Sequence, residues 1–297
     1  MKNQLVSIVV LTMNHEKYIE QSLLSCINQT YLEKEIILFD NGSSDSTFEI
    51  GKSILEKSNI QFRAIKLNKN IGISKALNEA IINYTKGEFI CLNSGDDWLN
   101  ENNILKKINF LNQNTAYRWV FSLGYFYYED SNKVEITPKE KRKSGNLFNE
   151  LLKENLIYFH GTIFEKKLIE DMGYFDQSTS IEDWDFSLRT IQNNPIGFIE
   201  EPLFFYRRHT KSFSNCNSKL YYKDCLSIIS KYASHPDSST AIEYWKHLYI
   251  NMLYKEPFNF QNFWYILHAT FNNKIYFRTA VSYLLKIIKR NNSPLSQ

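Results

Sequence analysis

The chain has 297 residues, of which 43% are hydrophobic and 15% aromatic, enough to build one large domain with an appendage or two modest domains. Its formal net charge of +3 is too small to indicate nucleic-acid binding, so no nucleic acid is expected as a partner. The short apolar run at the N-terminus lacks a cleavage site, and no run approaches the ~18 residues of a membrane span, so a cytoplasmic location is predicted.

The distribution of charge and the cysteines give two further indications. From Cys216 onward there are 10 Lys and Arg against 4 Asp and Glu, whereas the preceding part holds 25 basic and 28 acidic residues. A basic region after a slightly acidic body favours an anionic surface as a partner. The four cysteines have neither CxxC nor Cys/His spacing, which indicates reduced thiols, and Cys91 is predicted to lie in the core.

Strand-like and helix-like segments alternate through the first hundred residues. Apolar runs predict buried strands at residues 6–11, 36–39, 62–67 and 89–92. Apolar residues at helical spacing predict helices at residues 16–28, 48–55 and 76–84. Because this alternation requires crossover connections, it predicts a parallel sheet and an α/β fold.

The rest of the chain has a less regular pattern. A helix is predicted at residues 104–111, an aromatic strand at 119–128 and a solvated, mobile loop at 139–145. Residues 146–214 have a mixed pattern, and residues 220–288 are typical of aromatic-rich helices.

Polar turns at residues 12–14, 40–43, 70–72 and 94–97 follow the predicted strands. The carboxyl ends of parallel strands share one edge of the sheet, where ligands bind, so the four turns are expected to converge there. In the last turn Asp96 and Asp97 are adjacent carboxylates, which would repel each other when buried. They indicate either a turn or helix N-cap, or a divalent cation at the strand end, since Mg²⁺ prefers one or two carboxylates together with phosphate oxygens.

Four other features each allow a structural and a functional interpretation. Asp40 is either a cap for the following helix or an acceptor for a nucleobase or ribose. Asp183, in the segment EDWD, is either in the exposed first turn of a helix over residues 183–190 or a general base whose pKa is raised by burial and acidic neighbours. The segment YRRH at 206–209 is either a solvated basic edge or a grip for a diphosphate. His160 follows an apolar run, which favours a hydrogen-bonded core histidine over a metal ligand.

Taken in order, six segments resemble the motifs of the family 2 glycosyltransferases, which have the GT-A fold. They are VSIVVLTMNHEKYIEQSLLSCINQTY, LFDNGSSDST, NIGISKALN, LNSGDD, IEDWDFSLR and YRRH. They match the opening strand and turn, the acidic nucleotide loop, the N-x-G-x-x-x-A-x-N segment, the D-x-D metal site, the catalytic E-D pair and the R-x-H element. The resemblance covers roughly residues 5–214 and is strongest with transferases that build bacterial O-antigen, capsule or exopolysaccharide units.

The resemblance implies a fold and an activity. A Rossmann-like, α/β GT-A domain is expected over residues 1–215, followed by a mainly helical region over residues 216–297. The implied activity is that of an inverting, metal-dependent transferase, which moves a hexosyl or N-acetylhexosaminyl group from a nucleotide-diphosphate sugar, a UDP-sugar above all, to a glycan or lipid-linked acceptor. A nucleotidyltransferase and a non-catalytic sugar-nucleotide binding module are the alternatives.

The same resemblance implies roles for the matched residues. Asp183 falls on the catalytic base, and Asp96, with His209, falls on the site of Mn²⁺ or Mg²⁺. The implied donor-binding residues are Thr12, Asn14, Asp40, Asn41, Lys75, Ser94, Gly95, Asp97 and Arg207. Ser94 stands where the family commonly has the first carboxylate of D-x-D, so one carboxylate and the donor phosphates would hold the metal, with Asp97 in support. Other departures from the common pattern are Asn41, Met13 and Leu77.

The C-terminal segment allows two interpretations. One face of a predicted helix would carry Val281, Leu284, Leu285 and Ile288, and the basic residues beside that face are Lys286, Lys289 and Arg290. The helix would either pack on the body or on another subunit of an oligomer, or make peripheral contact with the anionic inner membrane, where a lipid-linked acceptor would lie.

Overall fold

The computed structural model of the protein describes residues 4–209, 219–255, 259–270 and 281. The chain separates into two compact units, Met1–Asn215 and Cys216–Gln297. Val281 is exposed, and the remainder of the basic helix predicted near the C-terminus lies outside the described residues.

Four parallel strands begin the sheet of the first unit. They are β1 (Val6–Thr12), β2 (Lys34–Asp40), β3 (Gln61–Lys66) and β4 (Phe89–Ser94), in the order β3-β2-β1-β4. The helices between them are α1 (Ile19–Ile27), α2 (Thr47–Glu56) and α3 (Ile73–Tyr84). Nearly every residue of β1 and β2 is buried, as expected when crossover helices cover both faces of a sheet. The predicted α/β alternation of this part is confirmed.

The register brings the carboxyl ends of the central strands level with one another. Thr12 of β1 lies opposite Asp40 of β2, and Leu11 of β1 lies opposite Ser94 of β4. The polar turns that follow these strands therefore leave the sheet at the same edge.

Beyond β4, where the sequence pattern predicts no strand direction, the sheet is mixed. The further strands are β5 (Trp98–Leu99), β6 (Trp119–Tyr128), β7 (Lys133–Ile136), β8 (Ile163–Glu165) and β9 (Gly197–Arg208). Strand β8 is antiparallel to β4 and β6, whereas β6 is parallel to β9. These strands are short or irregular, so their periodicity is weak. The β6–β9 register, for example, shifts beside Pro202, which has no N–H to donate.

Four helices accompany these strands: α4 (Asn103–Gln113), α5 (Phe148–Leu151), α6 (Lys166–Asp171) and α7 (Glu182–Ile191). The helices predicted at residues 104–111 and 183–190 are confirmed. Trp184 is buried and donates its indole N–H to Leu151 O at 2.8 Å, which ties α7 to α5. Cys91 is fully buried in β4, as predicted.

The loop predicted to be solvated at residues 139–145 contains a buried arginine. Arg142 donates from Nε to Leu156 O at 2.9 Å and from a terminal nitrogen to the Tyr158 hydroxyl at 3.1 Å. Its guanidinium also lies 4.9 Å from the centre of the Tyr158 ring. The prediction is wrong at this residue, because a guanidinium can be buried where carbonyl and hydroxyl oxygens satisfy its N–H groups.

The second unit is helical in its described part, which confirms the prediction for that part. Its helices are α8 (Lys219–Ser230), α9 (Ser238–Lys255) and α10 (Phe260–Thr270). A small apolar cluster contains Tyr249, Ile250, Leu253 and Ile266. Within the described parts of the chain, no helix is both long enough and apolar enough to cross a membrane.

Candidate active site

The first two strand-end turns are joined by hydrogen bonds. Asn41 donates its backbone N–H to Thr12 O at 2.8 Å, and Asn14 donates its backbone N–H to Ser43 Oγ at 2.9 Å. Asn14 Oδ1 in turn accepts the backbone N–H of Ser44 at 2.9 Å. Asn14 has a positive φ of 57°, a conformation that asparagine tolerates better than most residues, so this junction is conformationally well defined.

The other two turns are attached to the same edge. Asn41 Oδ1 accepts the backbone N–H of Ile71 at 3.0 Å, and Asn41 Nδ2 donates to Asn70 Oδ1 at 3.0 Å. Gly95 donates its backbone N–H to Leu11 O at 2.9 Å. The predicted convergence of the four turns is therefore confirmed, and the side chain of Asn41 is one of the contacts that produces it.

Asp40 has one oxygen committed to the turn and one without a partner. Oδ1 accepts the backbone N–H groups of Gly42 at 3.0 Å and Ser43 at 2.6 Å. Oδ2 is buried and has no hydrogen-bond partner among the residues that the structure describes. Because an unpaired buried acceptor costs about 1–3 kcal/mol, Oδ2 is a strong candidate to accept a donor group from a ligand.

Gly95 allows the acidic turn to lie against the first turn. A Cβ atom at this position would lie 2.3 Å from Thr12 Oγ1 and 2.8 Å from His15 Nδ1. Any side chain would therefore push the acidic turn away from β1, and with it Asp96 away from His15.

Asp96 lies beside two histidines. Its Oδ2 is 3.2 Å from His209 Nε2 and 3.8 Å from His15 Nε2, and its Oδ1 accepts a hydrogen bond from the Ser94 hydroxyl. Burial by itself would raise the pKa of Asp96, but His15 and the hydrogen bonds from Ser94 and His209 hold that pKa below its ordinary value. This carboxylate is therefore charged at neutral pH, and its side chain is still 14% exposed.

Asp97 has entirely different partners. Its Oδ1 accepts the backbone N–H of Arg207 at 2.8 Å, and its Oδ2 lies 2.7 Å from His160 Nδ1. Burial raises the pKa of Asp97, with His160 acting against that shift and the charge of Asp96 adding to it. The repulsion expected between the adjacent carboxylates is thus offset, because the two lie beside different histidines.

Arg207 supports the turn that carries these carboxylates. Nε donates to Asp96 O at 2.9 Å, and a terminal nitrogen donates to Gln21 Oε1 at 2.6 Å. The guanidinium lies 4.6 Å from the ring centre of Tyr18 and 4.8 Å from that of Trp98. Arg207 is only 6% exposed, so the structure shows it as a buried support of the acidic turn.

The donor atoms at Asp96 fit a divalent cation only in part. Asp96 and His209 supply a carboxylate oxygen and an imidazole nitrogen, both of which suit Mn²⁺. No group of three His, Cys, Asp or Glu side chains placed to hold a metal occurs among the described residues. The protein can therefore contribute a minority of the ligands, which fits an ion that takes the others from water and substrate phosphates.

Asp183 lies in the first turn of α7 with both carboxylate oxygens hydrogen-bonded. Oδ1 accepts the backbone N–H of Trp184 at 2.7 Å, and Oδ2 accepts from Asn155 Nδ2 at 3.0 Å. Burial raises the pKa of Asp183, and burial together with the charge of Asp183 raises the pKa of Glu182. This environment favours a general base over a solvated helix start.

The amino-acid sequence matches Glycosyl transferase family 2 over residues 7–173. The chain belongs to this family. MJ1057, an uncharacterized glycosyltransferase of Methanocaldococcus jannaschii, is 30% identical over 210 residues, which are 70% of this chain and 72% of that protein. Glycosyltransferase GlyG of Streptococcus pneumoniae is 26% identical over 244 residues, which are 77% of this chain and 79% of GlyG.

Two solved structures show the same fold. TarS 1–349 of S. aureus, in complex with UDP-GlcNAc, superposes with a TM-score of 0.66 at 18% identity, covering 84% of this chain and 80% of TarS. The mannosyltransferase PcManGT of Pyrobaculum calidifontis, in complex with GDP-Man and Mn²⁺, gives 0.64 at 14% identity, covering 98% and 77%. The predicted GT-A fold with C-terminal helices is confirmed.

The candidate site includes side chains to which the sequence assigned no role. His15 reaches Asp96, and its place directly after the first strand-end turn was an available signal. Asn155 contacts Asp183 across 28 residues of sequence, and no local pattern indicates such a contact. His160, which the sequence analysis gave little weight, contacts Asp97.

Lys75 is the remaining predicted donor-binding residue. It is exposed in the first turn of α3, directly after the loop that Asn41 holds. Its side chain is therefore exposed to solvent beside this loop.

Proposed function

We propose that the protein is an inverting glycosyltransferase that moves a sugar from a nucleotide-diphosphate donor to a hydroxyl group of an acceptor. The observation that carries this proposal is the contrast between Asp96, which keeps its charge beside two histidines, and Asp183, whose pKa is raised by burial. Inverting transfer needs a site that offsets the charge of the leaving diphosphate and a base that accepts the acceptor's proton.

The nucleotide is proposed to bind at the joined turns. The unpaired Oδ2 of Asp40 would accept an N–H of the base, which is N3–H of uracil in the UDP-sugar proposed as the donor. Thr12, Asn14 and Asn41 would shape the surrounding turns, and Lys75 would supply a cation to the diphosphate. The complex of the structural neighbour TarS with UDP-GlcNAc supports this choice of donor class.

Mn²⁺ or Mg²⁺ is proposed to bind at Asp96 and His209, with donor phosphates completing its coordination. A bound ion would offset the negative charge that develops on the departing nucleoside diphosphate. Ser94 orients the Asp96 carboxylate, Gly95 gives the turn its close approach to β1, and Asp97 with Arg207 holds the turn in place. The Mn²⁺ in the PcManGT complex supports this proposal.

Asp183 is proposed to take the proton of the acceptor hydroxyl while the acceptor oxygen bonds to the anomeric carbon of the sugar. The bond from that carbon to the phosphate oxygen breaks, and its electron pair leaves with the nucleoside diphosphate. Attack on the face opposite the leaving group inverts the anomeric configuration. Burial and the charge of Asp183 raise the pKa of Glu182, which favours the protonated form of Glu182 beside the proposed base.

The test is a screen of the full chain with UDP-, GDP- and TDP-sugars, with Mn²⁺ and after chelation, followed by NMR of the product's anomeric proton. We expect turnover of one donor class, stimulation by Mn²⁺ and an inverted product. A product of retained configuration would contradict the single-displacement mechanism. Cleavage of the nucleotide sugar by added pyrophosphate, which forms a nucleoside triphosphate and releases the sugar 1-phosphate, would favour a nucleotidyltransferase. Tight donor binding without any turnover would favour a binding module.

The acceptor is proposed to be a glycan or lipid-linked glycan of bacterial surface polysaccharide, modified by a transferase domain over residues 1–215 at the cytoplasmic face of the membrane. The helical region over residues 216–297 is proposed to contact that membrane. On α10, Phe260 and Trp264 lie one turn apart and are 72% and 62% exposed. The sequence from residue 257 to the end has 5 Lys and Arg and no Asp or Glu. Exposed aromatic residues with an excess of cations suit an anionic lipid surface.

Co-sedimentation with liposomes tests the membrane contact. Wild-type protein should bind vesicles that contain anionic lipid and should bind neutral vesicles less. The double change Phe260→Ser and Trp264→Ser should weaken binding, whereas Leu32→Ser, at an 84% exposed position of the first unit, should not. Equal binding by all three proteins would mean that α10 does not contact the membrane. If the wild-type protein forms a concentration-dependent dimer that the double variant does not form, α10 is a subunit contact instead.

A further inference from the structure

A single loop reaches both carboxylate environments of the site. This α5–β8 loop, residues 152–162, begins after the helix to which Trp184 is tied. Near its start, Asn155 Nδ2 donates to Asp183 Oδ2 at 3.0 Å. Asn155 Oδ1 accepts the backbone N–H of Ile157 at 3.4 Å, so the side-chain amide is oriented with its nitrogen toward the carboxylate.

Near its end, the loop reaches the acidic turn. His160 Nδ1 lies 2.7 Å from Asp97 Oδ2, and the imidazole stacks on Tyr206 with ring centres 4.3 Å apart. The second oxygen of Asp97 accepts the backbone N–H of Arg207. Through Asp97, His160 therefore holds together β9 and the turn that presents Asp96.

The end of the loop is built into the core. Gly161 donates its N–H to Leu92 O at 2.8 Å, and its carbonyl accepts from Asn103 Nδ2 at 3.0 Å and Lys107 Nζ at 2.7 Å. Gly161 has a positive φ of 64°, and a Cβ there would come within 2.8 Å of Leu99. With every backbone polar group of this residue engaged, the position of His160 is set by β4 and α4.

The middle of the loop is held as well. Arg142 donates to Leu156 O and to the Tyr158 hydroxyl, and the Thr162 hydroxyl donates to Tyr158 O at 2.6 Å. Contacts at the start, middle and end make the loop a rigid connection between α7 and the acidic turn.

We propose that the α5–β8 loop is a two-ended positioning element of the transfer reaction, in which Asn155 orients the base Asp183 and His160 fixes the donor-binding turn through Asp97. This inference rests on the proposed function. Neither residue needs to touch the reacting atoms. The loop sets the distance between the carboxylate that accepts the proton and the turn that receives the diphosphate, and small errors in that distance are costly to catalysis.

The two ends should fail in different ways. Asn155 and the backbone N–H of Trp184 occupy one lone pair on each oxygen of Asp183, which leaves a defined direction for the acceptor proton. Loss of Asn155 should therefore reduce kcat and leave donor affinity unchanged. Loss of His160 should loosen the acidic turn and weaken donor binding, with a smaller effect on the protonation of the base.

The Asn155 end is tested by the pH profile of kcat in Asn155→Ala, with Asn146→Ala as the matched control. Asn146 makes a similar local turn contact, to the Phe148 N–H at 2.9 Å, away from the site. The titratable groups around Asp183 are Glu182 and His160. Because a hydrogen bond to the carboxylate favours its charged form, its loss should move the acidic limb upward by about one pH unit and lower kcat about tenfold. The control should keep the wild-type limb.

The His160 end is tested by the affinity for the donor nucleotide, measured by calorimetry with UDP and Mn²⁺. His160→Ala should raise the dissociation constant about tenfold, with the acidic limb of kcat moving far less than in Asn155→Ala. His160→Asn places an N–H near the position of Nδ1 and should restore most of the affinity. Thermal melting of each variant checks that it is folded at the assay temperature.

The outcomes separate this inference from the proposed function. If wild-type protein turns over no nucleotide sugar, the proposed function has failed and the loop variants carry no information on catalysis. If wild-type protein is active but Asn155→Ala keeps the wild-type limb and His160→Ala keeps the wild-type affinity, the positioning role is overturned. If both variants differ from wild type only in a lower melting temperature, the loop stabilises the fold and has no positioning role in the reaction.

Discussion

Two regions of the site contain the same kind of side chain in opposite electrostatic settings. At the end of β4, Asp96 lies beside His15 and His209 and accepts a hydrogen bond from Ser94. At the start of α7, Asp183 has two neutral N–H donors and the acidic neighbour Glu182. The pKa of Asp96 is held below its ordinary value, whereas burial raises the pKa of Asp183.

The difference shows what burial does to a carboxylate when its partners differ. Burial disfavours the charged form in both regions, and only near β4 do imidazoles and hydrogen bonds outweigh it. A carboxylate that stays charged suits a cation and a diphosphate, whereas one with a raised pKa suits the acceptance of a proton. The proposed function therefore assigns the same chemical group to two different steps, because the fold surrounds it differently.

The largest expected effect is that of Asp183→Asn. Removal of a general base typically costs 10²–10⁴-fold, so transfer should fall about a thousandfold. The affinity for the donor nucleotide should stay near the wild-type value, since Asp183 belongs to the base region alone. Steady-state transfer kinetics and calorimetry with UDP measure the two quantities separately.

Glu182→Gln is the matched control. Burial and the charge of Asp183 raise the pKa of Glu182 and so favour its protonated form, which a glutamine side chain resembles. Transfer by this variant should stay within about tenfold of wild type. An equal loss in both variants would mean that the pair acts as one unit and that the base is not Asp183 alone.

The next effect compares the two neighbours Asp96 and Asp97. Asp96→Asn removes the charge proposed to hold the metal and should reduce Mn²⁺ stimulation and donor affinity about 10–100-fold. Asp97→Asn keeps an acceptor for the Arg207 N–H and an amide group beside His160, so its loss should be smaller. Initial rates over a range of Mn²⁺ concentrations measure the difference. Greater loss in Asp97→Asn would exchange the two roles.

Stability should respond with opposite signs in the two regions. The pKa of Glu182 is raised from 4.5 to about 8 by burial and by Asp183, so the unfolded chain releases this proton at a lower pH than the folded one. Its contribution to stability is present below pH 4.5 and is lost as the pH rises toward 8. Glu182→Gln should therefore raise the melting temperature at pH 8 by a few degrees, on the order of 2–4 °C for each kcal/mol.

Asp96→Asn should do the reverse. The pKa of Asp96 is lower in the folded state, so its charge stabilises the fold above the unfolded pKa of 3.8, and that contribution is lost as the pH falls through the folded pKa. The variant should melt below wild type at pH 7. Scanning calorimetry at pH 5, 7 and 8 measures both variants, and shifts of the same sign would contradict the electrostatic contrast between the regions.

Sequence alone predicted the first of these regions better than the second. The apolar runs of β1, β2 and β4 are strong because both faces of those strands are buried, and their polar turns had to meet at one edge. Asp96 could be singled out because it follows a buried strand directly, and Asp183 because the segment IEDWDFSLR matches a family motif. The roles of these residues are implied by the resemblance, whereas the convergence of the four strand-end turns follows from topology.

The supporting contacts could not be predicted in the same way. Asn155 and His160 lie in a loop without periodicity, and each contacts a carboxylate far away in the sequence. Arg142 lies in a run of charged residues, which predicts exposure to solvent. Only the fold shows the oxygens that satisfy its guanidinium. The direction of each pKa shift likewise depends on burial and neighbours that no local pattern specifies.

The smallest effect concerns Lys107, which lies beneath the α5–β8 loop. Its contribution to stability should change with pH in the direction opposite to that of Glu182. Burial lowers the pKa of this fully buried lysine from 10.5 to about 7. Between those values the unfolded chain holds a proton that the folded protein lacks, so stability should rise with pH over this range. Lys107→Met removes that dependence at the cost of two hydrogen bonds, one to Asn103 Oδ1 and one to Gly161 O, which Asn103 still serves.

Urea unfolding at pH 7, 8.5 and 10 measures this contribution. The difference in unfolding free energy between Lys107→Met and wild type should become less favourable to the variant as the pH rises, by at most about 1.4 kcal/mol for each pH unit. Lys106→Met, at an exposed neighbour paired with Glu201, should follow the wild-type slope. Parallel slopes for all three proteins would mean that Lys107 is charged inside the fold. A buried cation, together with the contacts to Asp97 and Asp183, would then stabilise the α5–β8 loop that joins the two regions.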